Sequence, residues 1–151
     1  MMRAELRGRF PIIWALQVND PDSTIISMPL HSNYDLRYYP GDGSDCQYIE
    51  VKKRNIKSDI QTVMANKEKV ASNATWGPDF FFVSTFTDDV AIWFQPETMP
   101  SSAITEGDVM IKKVQMDENS QKVLQHRLYY NRNDAWKIIN VPHITIVDYD
   151  E

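Results

Sequence analysis

The chain has 151 residues, 42% of them hydrophobic and 25% charged, and 21 acidic against 16 basic side chains give a net charge of −5 at pH 7. This length and composition indicate one globular domain spanning residues 1–151, and exclude a disordered chain, a collagen-like repeat and a coiled-coil rod. The negative charge argues against nucleic acid as a partner, because binding to phosphate backbones relies on clustered positive charge.

The first element predicted in chain order is a strand from Phe10 to Val18, an apolar run that contains Pro11. The run is too short to cross a bilayer and no small-residue cleavage site follows it, so we expect neither a signal peptide nor direct membrane insertion. Asn19 to Ser23 has the polar residues and proline of a turn and leads into a second strand, Thr24 to Met28. The two strands together predict a hairpin or a corner.

A helix is predicted in one segment, Lys52 to Val70. Prolines are spread through the rest of the chain, and a helix interior tolerates proline poorly. The apolar side chains that recur in this segment at helical spacing are Ile56, Ile60, Val63 and Met64.

Short apolar segments separated by turn residues predict the remaining strands. They are 37–40, Gln47 to Val51, 79–86, 90–94, Val109 to Met116, Lys122 to Tyr130, and one or two strands within Trp136 to Val147. Asp117 to Ser120 predicts a hairpin turn between two of them. About eight to ten such strands predict an all-β fold, an immunoglobulin-like antiparallel β-sandwich with room for one short helix.

Four stretches of the chain share a pattern with a known family. They are residues 6–20, a basic-glycine step before a segment with Trp14; Trp76 to Val83; Met99 to Thr105, then Gly107; and Asp117-Glu118, followed by Arg127 to Tyr130. In these stretches the chain resembles the delta subunit family of rod cyclic-GMP phosphodiesterase, whose members are prenyl-binding and acyl-binding solubilising factors. The chain departs from that family in being shorter between Val51 and Trp76, by roughly a strand and its loop, and in running longer beyond Tyr130.

The resemblance implies a sandwich whose two sheets enclose an apolar cavity for the prenyl or acyl tail of a membrane-associated protein. It also implies a lipidated protein or peptide as cargo, a small Arf-like GTPase as release factor, no enzymatic activity and no cofactor. Burial of such a tail contributes about 0.8 kcal/mol per CH₂, so the cavity wall must be dry and apolar. The side chains expected to line it are Trp14, Leu16, Ile26, Trp76, Phe80, Phe82, Trp93, Met99, Ile104, Val109, Ile111 and Tyr130.

The same apolar side chains are equally what the inner faces of a packed sandwich require. In that case the alternative function is a protein-interaction module without a small ligand, such as a viral or phage accessory protein that binds a host factor. Tyrosine is enriched at protein interfaces, and the residues that would mark this interface are Tyr34, Tyr38, Tyr39 and Tyr48.

Histidine supports a third function, a 2H-type phosphoesterase. His143 stands two residues before Thr145 in an apolar segment, and such a pair can exchange a proton and hold a phosphoryl oxygen. The partner motif would be His31-Ser32-Asn33, in which Asn replaces the expected hydroxyl residue. The alternative interpretation is that His143 is an ordinary surface residue on a strand, with no catalytic role.

Three smaller features fit a soluble, non-catalytic domain. The stretch from Gly41 to Cys46 alternates Asp and Gly but lacks the bidentate acid of a Ca²⁺ loop, so we expect a solvated loop and no metal site. Lys52-Lys53-Arg54, with Lys57 after it, predicts a solvated basic face. The single cysteine, Cys46, excludes an internal disulfide and favours a reducing compartment, so the expected location is the cytoplasm.

Overall fold

The computed structural model describes residues 4–114 and 120–143 of the chain. Its α-helices are α1 (Ala4–Asn19) and α2 (Lys67–Ser72), and short 3₁₀ turns follow at Ala74–Asp79, Pro96–Thr98, Ser101–Ala103 and Arg132–Asp134. Its strands are β1 (Thr24–Ser27), β2 (Leu36–Tyr39), β3 (Gln47–Lys53), β4 (Thr62–Asn66), β5 (Phe80–Thr85), β6 (Val90–Phe94), β7 (Ile104–Val114), β8 (Ser120–Asn131) and β9 (Lys137–Asn140).

The strands form two sheets, which confirms the predicted β class with its two-sheet architecture. The larger sheet has six strands in the order β1-β2-β3-β5-β6-β9, and the smaller has three in the order β4-β8-β7. Neighbouring strands are antiparallel except for β3 and β5, which run parallel with Tyr48 opposite Phe80. A parallel pair needs a crossover connection, and here β4, α2 and the turn at Ala74–Asp79 supply it.

Strands β5 and β6 form the centre of the molecule, because both of their faces are buried. Alternate side chains point to opposite faces of a strand, so each strand contributes to two separate cores. The core shared with α1 contains Phe81, Val83, Ala91 and Trp93, together with Ile12, Ala15 and Leu16 of the helix. The core shared with the smaller sheet contains Phe80, Phe82, Ile92 and Phe94, together with Val63, Ala65, Leu128 and Tyr130. The fold therefore has three layers: helix, six-stranded sheet and three-stranded sheet.

The strand predicted from Phe10 to Val18 is wrong, because this segment lies within helix α1. Its buried positions recur at helical spacing, with Gly8, Arg9, Ile12, Ala15 and Leu16 on the covered face. Pro11 lies inside the helix, where it removes one backbone hydrogen bond. Burial of one face against the sheet outweighs this local cost, and the predicted hairpin with Thr24 to Met28 does not form.

The helix predicted from Lys52 to Val70 is also wrong over most of its length. Strand β3 continues to Lys53, and β4 occupies Thr62–Asn66. In β4, Val63 and Ala65 are buried while the residues beside them are more exposed, which is the two-residue period of a strand. The helical part is confined to α2, whose N-terminus is capped by Asn66 accepting a hydrogen bond from the Lys69 backbone N–H.

Other predicted strands agree with the structure in position. Residues 79–86 and 90–94 correspond to β5 and β6, and β7 and β8 pair along their whole length from Ile104↔Tyr130 to Val114↔Ser120. Most of the predicted turn at Asp117 to Ser120, and the predicted strand residues beyond 143, lie outside the described residues. Within the described ranges, no helix has the length and apolarity needed to cross a membrane.

A buried arginine fastens α1 to the edge of the larger sheet. Arg9 is 2% exposed, and its guanidinium donates to Ser27 Oγ at 2.9 Å, to the Met28 carbonyl, and to Asp35 Oδ1 at 2.9 Å. The second oxygen of Asp35 accepts the Val51 backbone N–H at 2.7 Å. The carboxylate thus connects the helix, the segment before β2 and strand β3.

Candidate functional site

The twelve side chains expected to line one lipid cavity are divided among different parts of the fold. Phe80, Phe82 and Tyr130 are buried between the two sheets, with Trp76, Met99 and Ile104 packed against that core. Leu16 and Trp93 belong to the core on the opposite face, beneath α1. Strands β5 and β6 separate the two groups.

The other four expected lining residues lie at or near the surface. Trp14 and Ile26 are exposed, on the outer side of α1 and on edge strand β1. Val109 and Ile111 are half-buried in β7. They lie opposite the part of β8 that pairs with β7 but not with β4. The structure therefore does not bring the twelve residues around one common space.

The two histidines of the phosphoesterase hypothesis lie at opposite sides of the larger sheet. His31 is exposed in the loop between β1 and β2, whereas His143 follows β9 and places Nδ1 3.1 Å from Asp89 Oδ1. Four strand spacings separate β2 from β9, roughly 19 Å. The two side chains are not placed to act on one phosphate, and Thr145 lies outside the described residues.

Three of the four tyrosines of the interaction hypothesis cluster around an arginine, Arg37, that the sequence analysis did not identify. In β2, Arg37 and Tyr39 point to one face and Leu36 and Tyr38 to the other. Register places Tyr48 of β3 directly opposite Arg37. The Ala74–Asp79 turn adds Trp76 beside Tyr48.

We name this cluster the Arg37 patch; it consists of Tyr34, Arg37, Tyr39, Tyr48 and Trp76. The Tyr48 and Trp76 rings stack with centroids 3.9 Å apart and planes 12° apart, and Tyr34 meets both edge-on at 5.2 and 5.9 Å. The Arg37 guanidinium lies 5.8 Å from the Tyr34 and Tyr48 ring centroids. Stacked, edge-on and cation–π contacts of this kind hold aromatic rings in fixed orientations.

Hydrogen bonds fix the arginine within the patch. Arg37 Nε donates to Tyr34 Oη at 3.1 Å, and Nη1 donates to Tyr39 Oη at 3.4 Å. The Arg37 guanidinium is positively charged, as arginine is in proteins, and these bonds raise its pKa further above its ordinary value. Tyr39 remains 39% exposed, and Arg37, Tyr48 and Trp76 are half-buried, whereas Tyr34 is buried. Four of the five side chains of the patch are therefore accessible to a partner.

Tyr38 does not belong to the patch, although the sequence grouped it with the other tyrosines. It is buried on the α1 side of the sheet, where its hydroxyl donates to Asp20 Oδ2 at 2.6 Å. The alternation of side chains along β2 accounts for this division.

Cys46 lies beside the patch, and its thiol is not activated. Burial raises the pKa of Cys46 above its ordinary value, so the thiolate needed for nucleophilic attack is disfavoured. Nor do the described residues include any group of three His, Cys, Asp or Glu placed to hold a metal ion. In the Gly41–Cys46 loop, the Asp42 carboxylate accepts the Ser44 backbone N–H at 2.8 Å, a local turn contact.

The basic stretch Lys52 to Arg54, at the end of β3, is partly structural. Lys52 and Lys53 are exposed, as a solvated face requires. Arg54 instead donates to the Met64 carbonyl of β4, and burial lowers its pKa to about 10. It therefore links the two sheets.

Comparison with protein-family models, with curated proteins and with solved structures finds no match for this chain. The candidate function consequently rests on the geometry of the chain itself.

Proposed function

We propose that the chain is a protein-interaction module whose partner docks on the Arg37 patch. The observation that carries this proposal is the stacked Tyr48–Trp76 pair, with Tyr34 edge-on and Arg37 hydrogen-bonded beside it on an accessible face. Tyr, Trp and Arg are the residue types that dominate binding energy at protein interfaces. They combine large apolar area with polar groups that orient a partner.

The position of the patch also supports docking. In the described part of the chain, the larger sheet's buried contribution to the inter-sheet core comes from β5, β6 and Phe86, which follows β5. Strands β3 and β2 continue the larger sheet beyond β5. Tyr48 of β3 and Trp76 pack against the edge of this core, whereas Arg37 and Tyr39 of β2 remain accessible. A partner that docks there would find rings already held in place, which lowers the conformational entropy lost on binding.

The test is quantitative capture of partners by affinity-tagged variants. We expect Arg37→Ala and Tyr39→Ala each to capture at least tenfold less of a specific partner than wild type, because both side chains are accessible and lie within the patch. Trp14→Ala is the matched control, since Trp14 is an exposed aromatic residue on α1, away from the patch. A partner retained equally by all three variants would contradict the proposal.

The lipid-carrier function stays a prediction from the sequence. Its support is the family resemblance and the abundance of apolar side chains, which are divided between two cores and the surface. A lipidated cargo and an Arf-like GTPase accordingly remain expected partners of that hypothesis alone.

A further inference from the structure

A cavity of about 320 Å³ lies on the α1 side of the larger sheet, away from the Arg37 patch. Its apolar wall consists of Ala15 and Leu16 from the end of α1, and Trp136 and Ile139 from the region of β9. Small-molecule sites in proteins span roughly 300–1,000 Å³ and combine apolar walls with a few polar groups. This cavity is at the lower end of that range.

One side of the cavity carries a cation held by aromatic rings. Lys137 Nζ lies 4.5 Å from the ring centroid of Trp93 and 4.8 Å from that of Trp136. No carboxylate among the described residues forms an ion pair with it. Cation–π contacts stabilise the charge but leave N–H donors available to a ligand anion.

The other side of the cavity carries carboxylates. Asp20 is held in place by hydrogen bonds from Tyr38 Oη at 2.6 Å and from the Gly41 N–H at 2.9 Å. Asp42, in the loop after β2, also lines the cavity. Both acids lie near β2 and β3, whereas Lys137 lies on β9, three strand spacings from β3, or roughly 14 Å along the sheet.

We propose that this cavity binds a short apolar peptide with free termini. Its ammonium group would lie by Asp20 and Asp42, its carboxylate by Lys137, and its side chains against Leu16, Trp136 and Ile139. Each residue of an extended chain spans about 3.5 Å, so two or three residues span roughly 7–10 Å. The Lys137 and Asp42 side chains, which both line the cavity, cover the rest of the separation. Because the two sides of the cavity carry opposite charges, a ligand with both an ammonium and a carboxylate group should bind more tightly than one with either group alone.

Isothermal titration of the full chain with Leu-Phe, N-acetyl-Leu-Phe and Leu-Phe-amide tests the proposal. We expect Leu-Phe to bind, and each blocked derivative to bind at least tenfold more weakly because one charged contact is lost. Absence of binding by Leu-Phe, or equal affinity for all three compounds, would overturn the proposal. This comparison uses the unaltered protein and therefore does not depend on the folding of a variant.

Variants then assign the two sides of the cavity. Lys137→Met should weaken Leu-Phe at least tenfold while leaving Leu-Phe-amide unchanged, and Asp42→Asn should weaken Leu-Phe while leaving N-acetyl-Leu-Phe unchanged. Lys67→Met is the control, because Lys67 pairs with Glu106 at the surface and is not among the residues lining the cavity. Equal weakening of Leu-Phe by Lys67→Met and Lys137→Met would contradict the assigned geometry.

Discussion

Glu50 is a carboxyl group that the fold keeps largely out of water. Its side chain is 12% exposed and lies 4.0 Å from Lys69 Nζ, and its Oε2 accepts no hydrogen bond within the described residues. Burial, followed by the nearby charge of Asp35, raises the pKa of Glu50 from 4.5 to about 8. Between these two values the folded chain keeps the proton and the unfolded chain loses it. The free energy of unfolding therefore falls as pH rises through this window.

We predict that Glu50→Gln removes this pH dependence. Urea denaturation should show the variant gaining about 1–3 kcal/mol relative to wild type between pH 5 and pH 8, since one titrating group contributes at most about 1.4 kcal/mol per pH unit. Glu106→Gln is the control, because Glu106 is exposed. If the free energies of unfolding of wild type and Glu50→Gln differ by the same amount at pH 5 and at pH 8, Glu50 is ionised in the folded state.

The burial of Arg9 leads to a second prediction about the free energy of unfolding. Arg9→Met removes the cation and the donors that hold Asp35, leaving a largely buried carboxylate without its counterion. We expect a loss of about 3 kcal/mol in the free energy of unfolding. The exposed ion pair of Lys67 and Glu106 provides a contrast, because Lys67→Met should cost less than about 1 kcal/mol. Equal losses for the two variants, measured by urea denaturation, would contradict the role assigned to Arg9.

At the scale of elements, the β7–β8 hairpin divides into two parts. Residues 127–130 of β8 pair with β4 as well as β7, whereas residues 120–126 pair with β7 alone in the described structure. The part of the hairpin that does not pair with β4 exposes Met110 and Leu124, which lie opposite each other on β7 and β8. A two-stranded ribbon without a third strand is marginally stable in water.

We therefore predict a step in hydrogen-exchange protection along β8. Amides of residues 128 and 130 should exchange at least a hundredfold more slowly than those of 122–126, because local opening of the ribbon leaves the core intact. Native-state exchange followed by NMR measures this directly. Uniform protection along β8 would indicate that a further contact covers the hairpin.

The elements also show what local sequence can and cannot predict. Strands β5 and β6 were predictable because aromatic and β-branched residues fill them. Helix α1 was not, because its apolar run is typical of a strand and Pro11 disfavours a helix interior, whereas burial against the sheet stabilises the helix. The parallel pairing of β3 with β5 depends on contacts distant in sequence, which no local pattern contains.

The Arg37 patch was predictable only in part, because its tyrosines are visible in the sequence and the strand register is not. The density of tyrosines between residues 34 and 48 indicated a surface, and three of the four lie in the patch. Arg37 and Trp76 became recognisable only from the β2–β3 register and the turn before β5. Likewise, Asp20 and Lys137 face one cavity only because α1 ends over the sheet that carries β9.

At the scale of the whole molecule, the three layers bear on the lipid-carrier prediction. The side chains expected to form one apolar sleeve lie on both faces of β5 and β6 and at the surface. We expect fluorescence-polarisation titrations with labelled farnesyl, geranylgeranyl and myristoyl peptides to show no saturable binding at micromolar concentration. Saturable binding of any of the three would mean that the sheets separate to form a cavity, and would support the lipid-carrier hypothesis.

Site-specific photo-crosslinking shows whether a protein partner contacts the Arg37 patch. The photoreactive residue p-benzoylphenylalanine replaces Tyr39, which lies in the patch and is accessible, or Trp14, which is exposed on α1. Both replacements are aromatic and preserve the core. We expect a defined cross-linked protein from position 39, which is lost when Arg37→Ala is added, and none from position 14. The same cross-linked protein from both positions, or from position 14 alone, would contradict the proposal.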